Sequence, residues 1–124
     1  MKACIVTGSR HGSWVRFGAA IETAISDYDL VIEGGATGVD AMAGEAAQRH
    51  GKKLIVMPAD WDTHGRAAGP KRNQRMLNGL LKLRDVDGYE IAVLAFHDDL
   101  EHSRGTGDMV RRARAAGVRV EVYT

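Results

Sequence analysis

Glu33-Gly34-Gly35-Ala36-Thr37-Gly38-Val39-Asp40 sets three glycines between two carboxylates. An apolar run, Leu30-Val31-Ile32, comes before it, and a helical-looking segment, Ala41 to Gln48, comes after. A strand that ends in glycines and turns into a helix suits anion binding. Glycine adopts positive φ and lets a ligand approach bare backbone N–H groups. The helix N-terminus behind it carries partial positive charge. The stretch reads as a phosphate cradle built from Gly34, Gly35, Ala36, Thr37, Gly38 and Asp40. The competing reading is a tight strand-to-helix turn that binds nothing.

Three other stretches carry similar chemistry. Gly8, Ser9 and Arg10 offer backbone and hydroxyl donors and a guanidinium able to hold an anion bidentately. Pro58 to Lys71 is long for a connection in an α/β chain. It contains Asp60, a hydrogen-bond acceptor, and Trp61, a flat stacking surface. It leads into Gly69-Pro70-Lys71-Arg72-Asn73. Pro70 suits a first helical turn, and Lys71 and Arg72 stand where the helix dipole would favour acids. That concentration of positive charge predicts a phosphate or carboxylate site. The last stretch mixes His97, Asp98, Asp99, Glu101 and His102 ahead of Arg104-Gly105-Thr106-Gly107. Its histidines and acids lack metal-ligand spacing, so no metal is expected. The Gly-Thr-Gly is a weak phosphate signal taken alone. GxxxxGK[ST], GxSxG and HExxH are all absent.

The elements that must position these residues follow from periodicity. Ala3–Val6, Leu30–Glu33, Leu54–Met57, Ile91–Phe96 and Val118–Tyr123 read as strands. Between them lie helical patterns. Trp14, Phe17, Gly18, Ile21 and Ile25 share one face, capped by Ser13. That register places Trp14 in the core. Met42, Ala43, Ala46 and Ala47 form the next face, followed by Met76, Leu77, Leu80 and Leu81, then Met109, Val110, Ala113 and Ala116. Strict β-α alternation predicts a single Rossmann-like three-layer α/β domain over 1–124. Its five-stranded, mainly parallel sheet has the order 3-2-1-4-5. Every stretch above follows a strand, so all converge on the carboxyl edge, where such sheets bind ligands.

The 124 residues suit one domain, and 44% hydrophobic with 27% charged residues indicates a globular chain. A formal net charge of +1 gives no bulk attraction to nucleic acid or membrane. Cys4, the single cysteine, excludes a disulfide framework and reads as a core residue. No apolar run reaches the ~20 residues that span a bilayer. The N-terminus lacks a signal-peptide layout, so a cytoplasmic location is expected. A dimer or tetramer would draw on the apolar face of the helix that carries Leu77 and Leu80.

Taken in order, Gly8-Ser9-Arg10, Gly34 to Asp40, Pro58-Ala59-Asp60-Trp61, Ala68 to Asn73 with Met76, and Gly105-Thr106-Gly107 resemble one family. It is the YspA-like (SRK-type) branch of the SLOG superfamily, which is related to the LOG-like and DprA-type Rossmann domains. The resemblance covers nearly the whole chain and is most specific from Pro58 to Asn73. It implies binding of a nucleotide or nucleotide-derived ligand of the NAD, ADP-ribose or cyclic ADP-ribose type, with no separate cofactor. Gly8, Ser9 and Arg10 would form the pocket floor. Gly34 to Asp40 and Arg104 to Gly107 would hold phosphate and ribose. Asp60, Trp61, Lys71, Arg72 and Asn73 would close over the ligand. The domain would act as a sensor or a sequestering module. The alternative is N-glycosidic hydrolysis of a nucleoside phosphate or ADP-ribose, with Glu33, Asp60 and Arg72 as catalytic candidates. Ser103-Arg104-Gly105-Thr106-Gly107-Asp108 keeps the Gly-Thr pair of the LOG-like PGGxGTxxE motif but lacks its double glycine and its Glu. Nucleic-acid binding is disfavoured by the charge balance and by the lack of an aromatic-basic stripe.

Overall fold

The apolar runs form five strands: β1 (Lys2–Gly8), β2 (Leu30–Glu33), β3 (Lys53–Val56), β4 (Glu90–Phe96) and β5 (Val120–Tyr123). The computed structural model describes residues 1–124. All neighbouring strands pair in parallel, in the order β3-β2-β1-β4-β5. The topology is the predicted one, an α/β domain of Rossmann-like form. β1 lies at the switch point, with Cys4 beside Val31 on one flank and Ala92 on the other.

Alternation along the central strands separates two cores. Cys4, Val6, Leu94 and Phe96 point to the layer of α1 (Ala19–Ile25) and α2 (Val39–Arg49). Ala3, Ile5 and Val93 point to α4 (Ala68–Asp87) and α5 (Gly105–Ala115). On α2, Ala43, Ala46 and Ala47 are fully buried, which lets the helix lie close to the sheet. Burial pushes the Cys4 thiol far above its usual range, as an inert core cysteine requires.

Three local expectations change. The helix after β1 opens with a π-turn, Trp14–Gly18, capped by Ser13 Oγ, which accepts from the Arg16 N–H at 3.3 Å. The wider turn shifts the register. Phe17, Ile21 and Ile25 stay buried, whereas Trp14 lies across Gly18 on the surface, 43% exposed. The segment after β3 is not irregular throughout. It forms a short turn, α3 (Trp61–His64), then a 3-10 turn at Gly65–Ala67, and α4 already begins at Ala68. Pro70 still falls in the first turn, where its missing N–H costs nothing. Finally, Met76, Leu77 and Leu80 pack into the domain's own second core. The face suggested for self-association is therefore covered from within. No helix is long and apolar enough to cross a membrane.

Candidate functional site

The loops after β1, β2, β3 and β4 meet above the carboxyl edge around a cavity of about 700 Å³. That falls within the usual range for a small-molecule site. A smaller cavity of about 460 Å³, beside Tyr28, Arg119 and Tyr123, lies away from these loops.

From β1 come Gly8, Ser9 and Arg10. The Ser9 N–H donates to Phe96 O at 3.0 Å, and its carbonyl accepts from the Val39 N–H at 3.0 Å. The β1 loop is thereby tied to both β4 and α2. Arg10 reaches over the mouth, its guanidinium carbon 5.4 Å from the centre of the Trp61 ring. That pairing brings a planar cation and a half-exposed indole together from two different loops.

The stretch from Glu33 to Asp40 is organised differently from a bare-amide cradle. Asp40 Oδ2 accepts from the Gly34 and Ala36 N–H groups at 3.2 and 3.3 Å. Glu33 Oε2 accepts from the Gly35 N–H at 3.1 Å. The chain's own carboxylates thus occupy the Gly34, Gly35 and Ala36 amides. The glycines serve internal approaches instead. A side chain on Gly34 would collide with the Arg72 guanidinium, and one on Gly38, at φ 74°, would strike the backbone of Ser9 and Arg10. Thr37 Oγ1 donates to Arg10 O at 3.2 Å. Of this stretch only Ala36 and Asp40 line the cavity.

Arg72 forms much of the floor. Its Nε donates to Asn73 Oδ1 at 3.1 Å, and its Nη1 donates to Gly34 O and, at 3.4 Å, to Met57 O. Nη2 has no acceptor within the chain and remains accessible, although the residue is only 9% exposed. Asn73 Nδ2 donates to Gly105 O at 3.2 Å and to Asp108 Oδ2 at 3.0 Å, joining α4 to the start of α5. There Ser103 Oγ accepts from the Thr106 N–H at 3.1 Å, while the Gly105 N–H has no acceptor in the chain. Arg104 and Arg66 stand at the rim, neither paired with a carboxylate, and Thr106 is buried beneath them.

Burial, and then the neighbouring Asp40, push the Glu33 carboxyl up to about 7. Asp40 is raised by burial to about 6, against the opposing pull of Arg72 and of its two amide bonds. Arg72 is itself pulled below its ordinary value by burial. The floor is a desolvated patch of both signs, and the rim is cationic. Four arginines, Arg10, Arg66, Arg72 and Arg104, face two aspartates, Asp40 and Asp108, around the cavity. One of those aspartates is already paired, through Arg112 Nε to Asp108 Oδ2 at 2.8 Å.

Trp61 and Asn73 stand with Arg72 in the lining. Several expected residues stand outside it. Glu33 is buried, its carboxylate on the Gly35 N–H, and Gly107 is buried within α5. Asp60 caps the α3 turn, accepting from the Thr63 N–H at 3.1 Å. Lys71 points to solvent beside His64, at 3.5 Å. His97, Asp99 and His102 pair with one another rather than converging on a central point. The lining residues Thr7, His11 and Arg66 were not singled out by sequence reasoning. Their only signal was a position at the carboxyl edge. Comparison of the sequence with protein-family models and with curated proteins finds no match. Fold and site together define a Rossmann-like domain with a cationic pocket at its topological switch point.

Proposed function

We propose that this chain is a SLOG-type domain that binds a nucleotide-derived ligand, of the NAD, ADP-ribose or cyclic ADP-ribose type, in the carboxyl-edge cavity. It acts as a sensor or a sequestering module. One observation carries the reading. A pocket of nucleotide size is rimmed by unpaired arginines, floored by Arg72 with a free Nη2, and fronted by the Arg10–Trp61 pair. Phosphates suit the guanidiniums and the Gly105 amide at the start of α5. A base suits the indole face. The ordered series of motifs from Gly8 to Gly107 supports the same family reading.

Hydrolysis of an N-glycosidic bond is the second reading. It requires a carboxylate at the sugar to stabilise oxocarbenium-like charge. Asp40 is the carboxylate that favours it, because it lines the cavity, whereas Glu33 and Asp60 do not. The test is calorimetry and thermal shift with AMP, NAD, ADP-ribose and cyclic ADP-ribose, with chromatography of the same mixtures. Binding without products supports the module, and released base supports the hydrolase. The absence of a heat or melting shift with every one of these ligands at millimolar concentration overturns both. Arg104→Ala with Arg66→Ala should weaken binding at least tenfold without altering the melting temperature of the free protein, since both side chains are exposed.

A further inference from the structure

The acid best placed to touch a bound sugar is not the one at the end of β2. In doubly wound sheets a carboxylate near that point commonly accepts hydrogen bonds from ribose hydroxyls. Here Glu33 holds that place, but its carboxylate is turned onto the Gly35 N–H and lies outside the cavity. Asp40, at the start of α2, is built for the task. Its Oδ2 is fixed by the Gly34 and Ala36 amides. Its Oδ1 has no partner in the chain and stays accessible, in a residue that is 5% exposed and lines the cavity. A carboxylate anchored through one oxygen offers the other in a set position, acceptor only.

The spacing fits one phosphoribosyl unit. Asp40, in the first turn of α2, follows β2, and the free Gly105 amide follows β4, with β1 between them. Two strand spacings separate these walls, ~10 Å. A 5′-phosphate at Gly105 and Arg104 would leave the sugar hydroxyls near Asp40, and the base would lie toward Arg10 and Trp61.

We propose that Asp40 Oδ1 accepts hydrogen bonds from the ribose 2′- and 3′-hydroxyls and so selects ribonucleotides over deoxyribonucleotides. The inference rests on the nucleotide-binding reading above. A buried acceptor left unpaired is costly, so a ligand lacking the hydroxyl is disfavoured. Asp40→Asn is the matching variant. Its carbonyl oxygen can still accept from the Gly34 and Ala36 amides, while an amide donor replaces the acceptor facing the cavity.

The test is calorimetric titration with AMP, 2′-deoxy-AMP, ADP-ribose and inorganic pyrophosphate, on the wild type and on Asp40→Asn. The wild type should bind AMP at least tenfold tighter than 2′-deoxy-AMP. In Asp40→Asn that ratio should fall to within about twofold, with pyrophosphate bound at least as well as by the wild type. Equal wild-type affinity for AMP and its 2′-deoxy form overturns the assignment even if the variant fails to fold. A ratio unchanged in a folded variant overturns it too. If neither nucleotide nor pyrophosphate binds the wild type, the nucleotide-binding reading itself fails, and this inference with it.

Discussion

Glu33 and Arg72 show how much a single buried side chain matters to the fold that holds the cavity. The Glu33 carboxyl is held near 7 by burial and by Asp40, well above its ordinary value of about 4. The folded chain therefore binds more protons than the unfolded chain between about pH 4 and pH 7. Its contribution to stability falls as pH rises through that window. Glu33→Gln keeps an oxygen for the Gly35 N–H and removes the charge. It should match the wild type at pH 5 and exceed it at pH 8 by about 2–3 kcal/mol, read by urea denaturation at the two pH values. Arg72 is the reverse case. Arg72→Ala removes the donors to Gly34 O and Met57 O and leaves Glu33 and Asp40 without their nearby cation. A loss of about 2–4 kcal/mol in stability is expected. A melting curve within a degree of wild type would show that this floor is not load-sharing. For that reason the exposed Arg66 and Arg104 are the better probes of binding.

Among the elements, the β1 loop and the start of α2 behave as one unit. Gly38 lets the backbones meet, and the Val39 N–H and Thr37 hydroxyl complete the joint. Gly38→Ala combines a positive-φ penalty with a backbone clash. It should cost about 2 kcal/mol or more and displace Arg10, which circular dichroism melts and loss of ligand binding would register. Across the mouth, α3 delivers Trp61 to Arg10. In a Trp14→Phe background Trp61 is the sole indole, because the chain has two tryptophans. Ligands that carry a base should quench or shift its fluorescence, and pyrophosphate should do so much less. Trp61→Ala should weaken AMP by about tenfold, ~1–3 kcal/mol, and leave pyrophosphate unchanged. Equal losses for the two ligands would remove Trp61 from base recognition.

At the scale of the whole molecule, stability resides in two cores on opposite faces of one sheet. Leu80 is fully buried against the central strands, and Val86, further along the same helix, is 69% exposed. Leu80→Ala should cost about 2–5 kcal/mol by urea denaturation. Val86→Lys should change stability by no more than about 0.5 kcal/mol. The architecture that carries these cores was legible in the residue order. Short continuous apolar runs separated by amphipathic segments admit few arrangements once crossovers are right-handed. Parallel pairing then sends every strand-following loop to one edge. The sequence alone therefore determined the strand order, the burial of Cys4 and the edge at which the strand-following loops gather. It did not determine what the glycines of Glu33–Asp40 are for. Glycine permits close approach of anything, and only the tertiary structure shows that Arg72, Ser9 and the chain's own carboxylates make that approach. Periodicity likewise put Trp14 in the core, until a π-turn rotated it to the surface. Arg72 and Ser9 lie far from the Glu33–Asp40 glycines along the chain, so local pattern carries no record of their approach. Asp40 sits 32 residues from Arg72, and its free oxygen could be recognised only once the amides holding the other had been placed.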